Sequence, residues 1–102
     1  MKIYIVGVVG SGKSTLARKM GELLDIPVYH LDEVVHEKNK TFEVGNHKRS
    51  DVEIEQIFHK ILGQDNFIIE DCLRERFESA LHEVDKVVFL DLPMYFFKIP
   101  FG

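Results

Sequence analysis

The octapeptide GVVGSGKS, residues 7–14, is the most informative part of the sequence, and it follows directly on the apolar run IYIV, residues 3–6. A short apolar run rich in β-branched residues is typical of a strand that is buried on both faces. Apolar residues at helical spacing then follow the glycines, at Leu16, Met20, Leu23 and Leu24. Strand, glycine-rich loop and helix therefore come in the order that the phosphate-binding pattern G-x-x-x-x-G-K-[ST] requires.

The glycines of this loop suit a bound polyphosphate. Gly7, Gly10 and Gly12 have no side chain at positions where the backbone must wrap a phosphate, and there they are able to adopt positive φ. Successive N–H groups can then point inward and form an anion-binding nest. We expect Ser11 to contribute mainly its backbone amide.

Three residues at the start of the helix have chemistry suited to a nucleotide. We expect Lys13 to reach the β- and γ-phosphates as a mobile positive charge. The hydroxyl of Ser14 is the expected ligand to Mg²⁺, and Thr15 is expected to contact the α-phosphate. The sequence thus predicts a nucleoside triphosphate and Mg²⁺ as ligands.

The remainder of the chain alternates strand and helix patterns. Three more apolar strands are predicted at 28–31, 66–69 and 86–90, and two amphipathic helices at 50–62 and 73–84. Ser50 and Glu53 form a capping box at the start of one helix, and Gly63 ends it. Residues 33–50 have no clear pattern. This order predicts a parallel α/β sheet with ligands at the carboxyl ends of its strands.

Acidic residues follow three of the predicted strands. An acid at the end of a neighbouring apolar strand usually helps to position a loop-bound magnesium ion, and Asp71 and Asp91 both follow such strands. The residues alone do not show which of the two has this role. Asp32 ends the second strand, where it could accept a hydroxyl proton or orient an acceptor. For each acid the alternative is a carboxylate that caps the next helix or turn.

Composition limits the other classes of function. The net charge is −4 with both signs interleaved, so no basic surface predicts direct binding to nucleic acid or to a membrane. Neither a signal peptide nor a membrane span is expected, and the lone Cys72, expected as a small buried residue, cannot form an internal disulfide. We expect a cytoplasmic protein with one domain over residues 1–102.

Several segments together resemble the adenylate-kinase-like P-loop proteins described as topology modulation proteins. They are Ile5 through Arg18, PVYHLD at 27–32, FIIED at 67–71 with Arg74 close behind, and VFLDLP at 88–93. In the related nucleoside-monophosphate, shikimate and gluconate kinases the sheet order is 2-3-1-4-5. The resemblance therefore implies a three-layer fold with the order 2-3-1-4 for these strands, and helices on both faces.

The same resemblance implies roles for individual residues. Because the third strand lies beside the loop strand in these kinases, Asp71 becomes the preferred acid on the magnesium side. Asp32 and Arg74 fall on the acceptor side, where an arginine can bind a phosphate or carboxylate with two hydrogen bonds. Arg76 is a weaker candidate than Arg74 for binding the acceptor. The kinases continue into a lid and a fifth strand, so we expect this sequence, which ends at Gly102, to lack the lid arginines.

Two hypotheses for the function follow. The first is an ATP-dependent kinase that transfers the γ-phosphoryl group to a nucleotide, a nucleoside or a similar small acceptor, with Lys13, Asp32 and Arg74 as its catalytic residues. The second is a nucleotide-binding or regulatory protein that binds ATP or ADP without turnover, as the missing lid suggests. A homodimer through the fourth strand and the apolar residues 94–101 is a further expectation.

Overall fold

A four-stranded parallel sheet forms the centre of the protein in the computed structural model, which describes residues 1–8, 10–38 and 46–90. In chain order the strands of these residues are β1 (Lys2–Gly7), β2 (Val28–His30), β3 (His36–Lys38), β4 (Asn46–Lys48), β5 (Phe67–Asp71) and β6 (Lys86–Leu90). The sheet has the order β2-β5-β1-β6, while β3 and β4 pair separately and antiparallel. This is the expected order of second, third, first and fourth strand, so the predicted α/β fold is confirmed.

Helices cover both faces of the sheet. They are α1 (Lys13–Leu24), α2 (Leu31–Val35), α3 (Asp51–Leu62) and a 3₁₀ helix (Glu75–His82). Helix α1 packs on one face, where the buried residues are Ile3, Ile5, Ala17 and Ile68. The other helices pack on the opposite face, whose large buried residues include Tyr4, Leu31, Phe58, Phe67, Ile69 and Phe77. Odd and even positions of each strand therefore belong to different halves of the core.

The predicted serine cap is present at the start of α3, and the Glu53 carboxylate contacts the Ser50 hydroxyl. The Ser50 hydroxyl oxygen accepts a hydrogen bond from the backbone N–H of Glu53 at 3.2 Å, and the hydroxyl donates to the Glu53 carboxylate at 3.1 Å. The helix ends at Gly63, whose N–H donates to the His59 carbonyl at 3.0 Å. Local sequence signals therefore set both ends of α3.

Some elements differ from the expectations. The helix predicted at 73–84 is a 3₁₀ helix over Glu75–His82, and its buried residues Phe77 and Ala80 lie one 3₁₀ turn apart. Leu31 belongs to α2 instead of the second strand. The unassigned residues 33–50 include most of α2 together with β3 and β4.

Other predictions have different outcomes. Cys72 is exposed, not buried, because it follows the last residue of β5 and leaves the sheet. Asp91 and residues 94–101 lie outside the described residues. In the described part of the chain, no helix is long and apolar enough to cross a bilayer.

Candidate functional site

The glycine-rich loop has a left-handed backbone conformation at two positions. Gly10 and Gly12 have φ of 85° and 87°, values that a residue with a Cβ rarely adopts. Gly7 is required for a different reason: it is the last residue of β1, and a Cβ there would lie 2.8 Å from the carbonyl oxygen of Leu90 in β6. The loop glycines thus permit a tight turn and a close approach of two strands.

The N-terminus of α1 keeps its amide donors available. No side chain caps it, and its first turn contains no acidic residue. Helix α3, by contrast, has both a serine cap and acidic residues in its first turn. Within the described residues Lys13 forms no ion pair. The helix start therefore offers unpaired N–H groups and a free ammonium group to an anion.

One cleft of about 400 Å³ lies against this helix start, and we call it the loop cleft. It is lined by Lys13, Ser14, Arg18, His30, Asp32, Glu33, Glu70, Asp71, Cys72 and Arg74. The cleft brings together five of the residues selected from the sequence, namely Lys13, Ser14, Asp32, Asp71 and Arg74. Sequence reasoning assigned no role there to the other five.

The acid in contact with Ser14 is Glu70, not the preferred Asp71. The Ser14 hydroxyl donates a hydrogen bond to the Glu70 carboxylate, which is almost wholly buried. Side chains alternate along β5, so Glu70 shares the α1 face with Ile68, whereas Asp71 shares the opposite face with Ile69. Strand β5 does lie beside β1, as expected, but the residue that reaches the helix start is one position earlier.

His30 is a second neighbour of Glu70 that the sequence did not identify. Register places His30 of β2 directly beside Glu70 of β5, and the ring Nδ1 lies 3.3 Å from the Glu70 Oε2. The Ser14 hydroxyl and the imidazole thus both lie against the same carboxylate oxygen, Oε2. The period-two pattern of the strands indicates which side chains share a face, but the contact between His30 and Glu70 can be predicted from it only when the register of the two strands is known.

Asp71 is bound to the turn that follows its own strand. One carboxylate oxygen accepts from the Arg74 backbone N–H at 2.9 Å, and the other pairs with the Arg74 guanidinium. Leu73 between them has φ of 66°, an uncommon conformation for a residue with a branched side chain. This geometry matches the alternative reading of Asp71 as a carboxylate that caps a turn.

Arg74 also bridges to α2. Its Nη2 donates to Asp32 Oδ1 at 2.8 Å, so one guanidinium connects the carboxyl end of β5 with the first turn of α2. Partial burial is the largest single influence and lowers the pKa of Arg74, but the neighbouring groups, Asp71 first and then Asp32, together outweigh it, and the pKa is raised. The guanidinium is therefore a permanent charge held between two acids.

Tyr4 lies beneath this region on the same sheet face as Asp71. Its hydroxyl is buried and has no hydrogen-bond partner within the described residues. Burial, followed by the negative charge of Asp71, raises the pKa of Tyr4 well above its ordinary value. The hydroxyl thus stays neutral and adds no charge to the loop cleft.

Arg76, the weaker candidate, does not line the loop cleft. Its Nη2 donates to Asp51 Oδ1 at 2.8 Å and so ties the 3₁₀ helix to the start of α3. The hydrogen bond from Arg76, followed by the charge of Lys48, lowers the pKa of Asp51. The contact serves packing between helices.

Thr15 lies on the other side of the helix start. It lines a separate and mostly apolar cleft of about 380 Å³ together with Gly12, Leu16, Lys19 and Leu90. The first residues of α1 therefore separate a polar cleft rich in acids from an apolar one. The Ser11 hydroxyl, which is buried and without a partner in the described chain, reaches neither cleft.

A glycine-rich loop between a buried parallel strand and an uncapped helix, inside a sheet of this order, is the architecture of a P-loop protein with a kinase-like fold. A model of the AAA domain family matches residues 3–95, and the chain belongs to this family. The subgroup of topology modulation proteins is not identified by these matches.

Two similar proteins are kinases by name. The bifunctional shikimate kinase/3-dehydroquinate synthase of Thermotoga maritima is 26% identical over 74 residues, covering 68% of this chain and 15% of its own length. The crystal structure of a gluconokinase from Sinorhizobium meliloti 1021 superposes with a TM-score of 0.55 at 19% identity, covering 86% of this chain and 54% of the gluconokinase. The chain thus spans little more than half the length of the gluconokinase and a small part of the bifunctional enzyme. The second likeness establishes the fold.

Proposed function

We propose that this protein binds ATP at the glycine-rich loop and transfers the γ-phosphoryl group to a small hydroxyl compound in the loop cleft. The observation that carries the proposal is that Lys13 and Ser14, at the donor loop, line the same cleft as Asp32. A phosphoryl donor and an acceptor hydroxyl must lie within reach of one another for in-line transfer. The kinase names of the two relatives agree with this assignment.

Each residue has a defined part in the proposed reaction. The loop amides and Lys13 bind the donor phosphates, and the apolar cleft beside Thr15 accommodates the nucleoside. Asp32 accepts the proton of the acceptor hydroxyl as its oxygen forms a bond to the γ-phosphorus. The bond between the γ-phosphorus and the β–γ bridging oxygen breaks, and ADP leaves.

The residues at the helix start fit a magnesium ion held mainly by a nucleotide. Ser14 and Glu70 supply a hydroxyl and a carboxylate, the oxygen ligands that Mg²⁺ prefers. No cluster of three or more His, Cys, Asp or Glu side chains within the described residues could hold a metal without added ligands. When bound, Mg²⁺ neutralises charge on the phosphates. We propose that Ser14 holds it and that Glu70 orients Ser14, the part first assigned to Asp71.

A second candidate is nucleotide binding without turnover. It is favoured by the position of Arg74, which is paired with Asp71 and Asp32 and so would have to move to stabilise a transferring phosphoryl group. Loss of such an arginine contact can lower the rate by about 10³ to 10⁵. Both candidates share the same donor site.

A transfer assay separates the two candidates. Labelled γ-phosphate of ATP is followed onto a panel of polyols, nucleosides and hydroxy acids, with Asp32→Asn as the diagnostic variant. Asp32→Asn should lower acceptor-dependent turnover by about 10² to 10⁴, the usual contribution of a general base, and leave ATP affinity nearly unchanged. Binding of ATP without transfer to any acceptor would favour the second candidate. A large loss of ATP affinity in Asp32→Asn would place this residue in the donor site.

A further inference from the structure

We propose that the acceptor of this protein carries no carboxylate or phosphate, and is an uncharged or positively charged hydroxyl compound. The inference rests on the proposed phosphoryl transfer and concerns the charge of the substrate. It runs against the simplest analogy with the two relatives, because shikimate and gluconate, the compounds in their names, are carboxylates.

The charge of Arg74 is already balanced by two acids of the chain. One terminal nitrogen pairs with Asp71 and the other donates to Asp32 at 2.8 Å, so each terminal nitrogen of the guanidinium already contacts a carboxylate. An anionic acceptor would have to compete with these acids for the guanidinium charge. Asp71 is 2% exposed, and without its partner it would remain as a buried and poorly solvated charge.

The balance of charge around the loop cleft also disfavours an anionic acceptor. The acidic residues of the cleft are Asp32, Glu33, Glu70 and Asp71, and its basic residues are Lys13, Arg18 and Arg74. Lys13 and Glu70 belong to the donor side in the proposed function. An acceptor therefore meets three carboxylates and two remaining cations, and a further negative charge is disfavoured there.

Arg18 is the cation that could reverse this conclusion. It is exposed, it lies one helical turn after Ser14, and it forms no ion pair within the part of the chain that the structure describes. The other arginines of the sequence, Arg49 and Arg76, do not line the cleft. One solvated arginine gives weak attraction and cannot offset the acids around it.

Asp32 presents an open hydrogen-bond acceptor atom to the cleft. Arg74 occupies its Oδ1, while its Oδ2 has no hydrogen-bond partner among the described residues, and the side chain is 61% exposed. A carboxylate oxygen accepts hydrogen bonds and cannot donate them. Hydroxyl and ammonium groups donate to it, whereas a carboxylate or phosphate ligand at the same place would be repelled.

Matched pairs of acceptors test the proposal. Glucitol is compared with gluconate, methyl shikimate with shikimate, and adenosine with adenosine 5′-monophosphate, each as a substrate and as a ligand in the presence of a non-hydrolysable ATP analogue and Mg²⁺. Within at least one pair the uncharged member should have kcat/KM about tenfold or more above that of the anionic member. Binding by calorimetry should show the same order.

A charge-neutralising variant gives the second measurement. Asp32→Asn releases one side of Arg74, so the ratio of anionic to uncharged Kd within a pair should fall by about fivefold or more. Asp65→Asn is the matched control, because Asp65 is exposed at the opposite end of the sheet, before β5 begins. It should leave the ratio unchanged.

The outcomes separate the two levels of the proposal. Transfer that favours the anionic members, or an unchanged Kd ratio in Asp32→Asn, would overturn the inference and leave the kinase function standing. Nucleotide binding without transfer to any of the acceptors would overturn the proposed transfer, and the inference with it.

Discussion

At the scale of single residues, two adjacent acids of β5 make different contacts, and only one of them reaches the glycine-rich loop. Glu70 and Asp71 are adjacent in sequence and both almost wholly buried, yet they lie on opposite faces of β5. One contacts Ser14, and the other holds the turn through Arg74. Both are carboxylates, so the face of the strand on which each residue lies, and not its type, determines which contact it makes.

This difference predicts unequal effects of two conservative substitutions. Glu70→Gln should reduce the factor by which Mg²⁺ strengthens ATP binding by about tenfold, because the Ser14 hydroxyl loses a charged acceptor. Asp71→Asn should change the Mg²⁺ dependence little and should lower thermal stability, because Arg74 and the turn lose a buried charged partner. Titration of ATP at a series of Mg²⁺ concentrations measures the first effect, and thermal unfolding the second. If Asp71→Asn changed the Mg²⁺ dependence more than Glu70→Gln, Asp71 and not Glu70 would be the acid on the magnesium side.

Residue types in the loop were predictable from the sequence, but side-chain partners were not. The pattern from Gly7 to Ser14 favours the conformation because Gly10 and Gly12 have positive φ, which residues with a Cβ rarely adopt. The contact between His30 and Glu70 depends on the register of two strands that are 40 residues apart in the chain, and local sequence does not encode it.

Among the elements, those with strong local signals were predicted well. Helix α3 has its cap, its apolar stripe and its stop in one continuous segment. The helix after β5 was predicted but its 3₁₀ type was not, and the short α2 was missed, because both elements depend on packing against the sheet more than on their own propensity. Element existence was thus more predictable than element type.

The serine cap of α3 gives a test at this scale. Ser50→Ala removes the side-chain acceptor for the Glu53 amide and should lower the free energy of unfolding by about 0.5 to 2 kcal/mol. Ser79→Ala, within the 3₁₀ helix at an exposed position, is the control and should have an effect within about 0.5 kcal/mol. Urea unfolding of both variants measures the difference. Equal stability of the two would show that the cap contributes nothing to α3.

For the whole molecule, the exposed apolar side chains of β6 are the feature that bears on association. Its Phe89 is 64% exposed and Val87 36% exposed, and among the described strands β6 pairs with β1 alone. Homodimerisation through this strand stays a prediction, as does the single domain over residues 1–102. Burying a large apolar side chain contributes about 1.5 to 3 kcal/mol before ordering costs, which favours association.

Sedimentation velocity at micromolar concentration tests the dimer. The protein should sediment as a dimer, and Phe89→Ser should shift it toward the monomer. Val52→Ser is the control, since Val52 is similarly exposed on α3, away from β6, and its change should leave the state of association unaltered. A monomer at all concentrations would end the dimer proposal.

Nucleotide binding at the loop underlies both functions proposed for this protein, and calorimetric titration with ATP and Mg²⁺ tests it most directly. Lys13→Ala should weaken binding by about tenfold or more, because an ammonium–phosphate contact contributes roughly 1 to 4 kcal/mol near a protein surface. Lys60→Ala, at an exposed position of α3, should bind like the unchanged protein. Equal ATP affinity of folded Lys13→Ala and Lys60→Ala would contradict the assignment of the loop as the phosphate site.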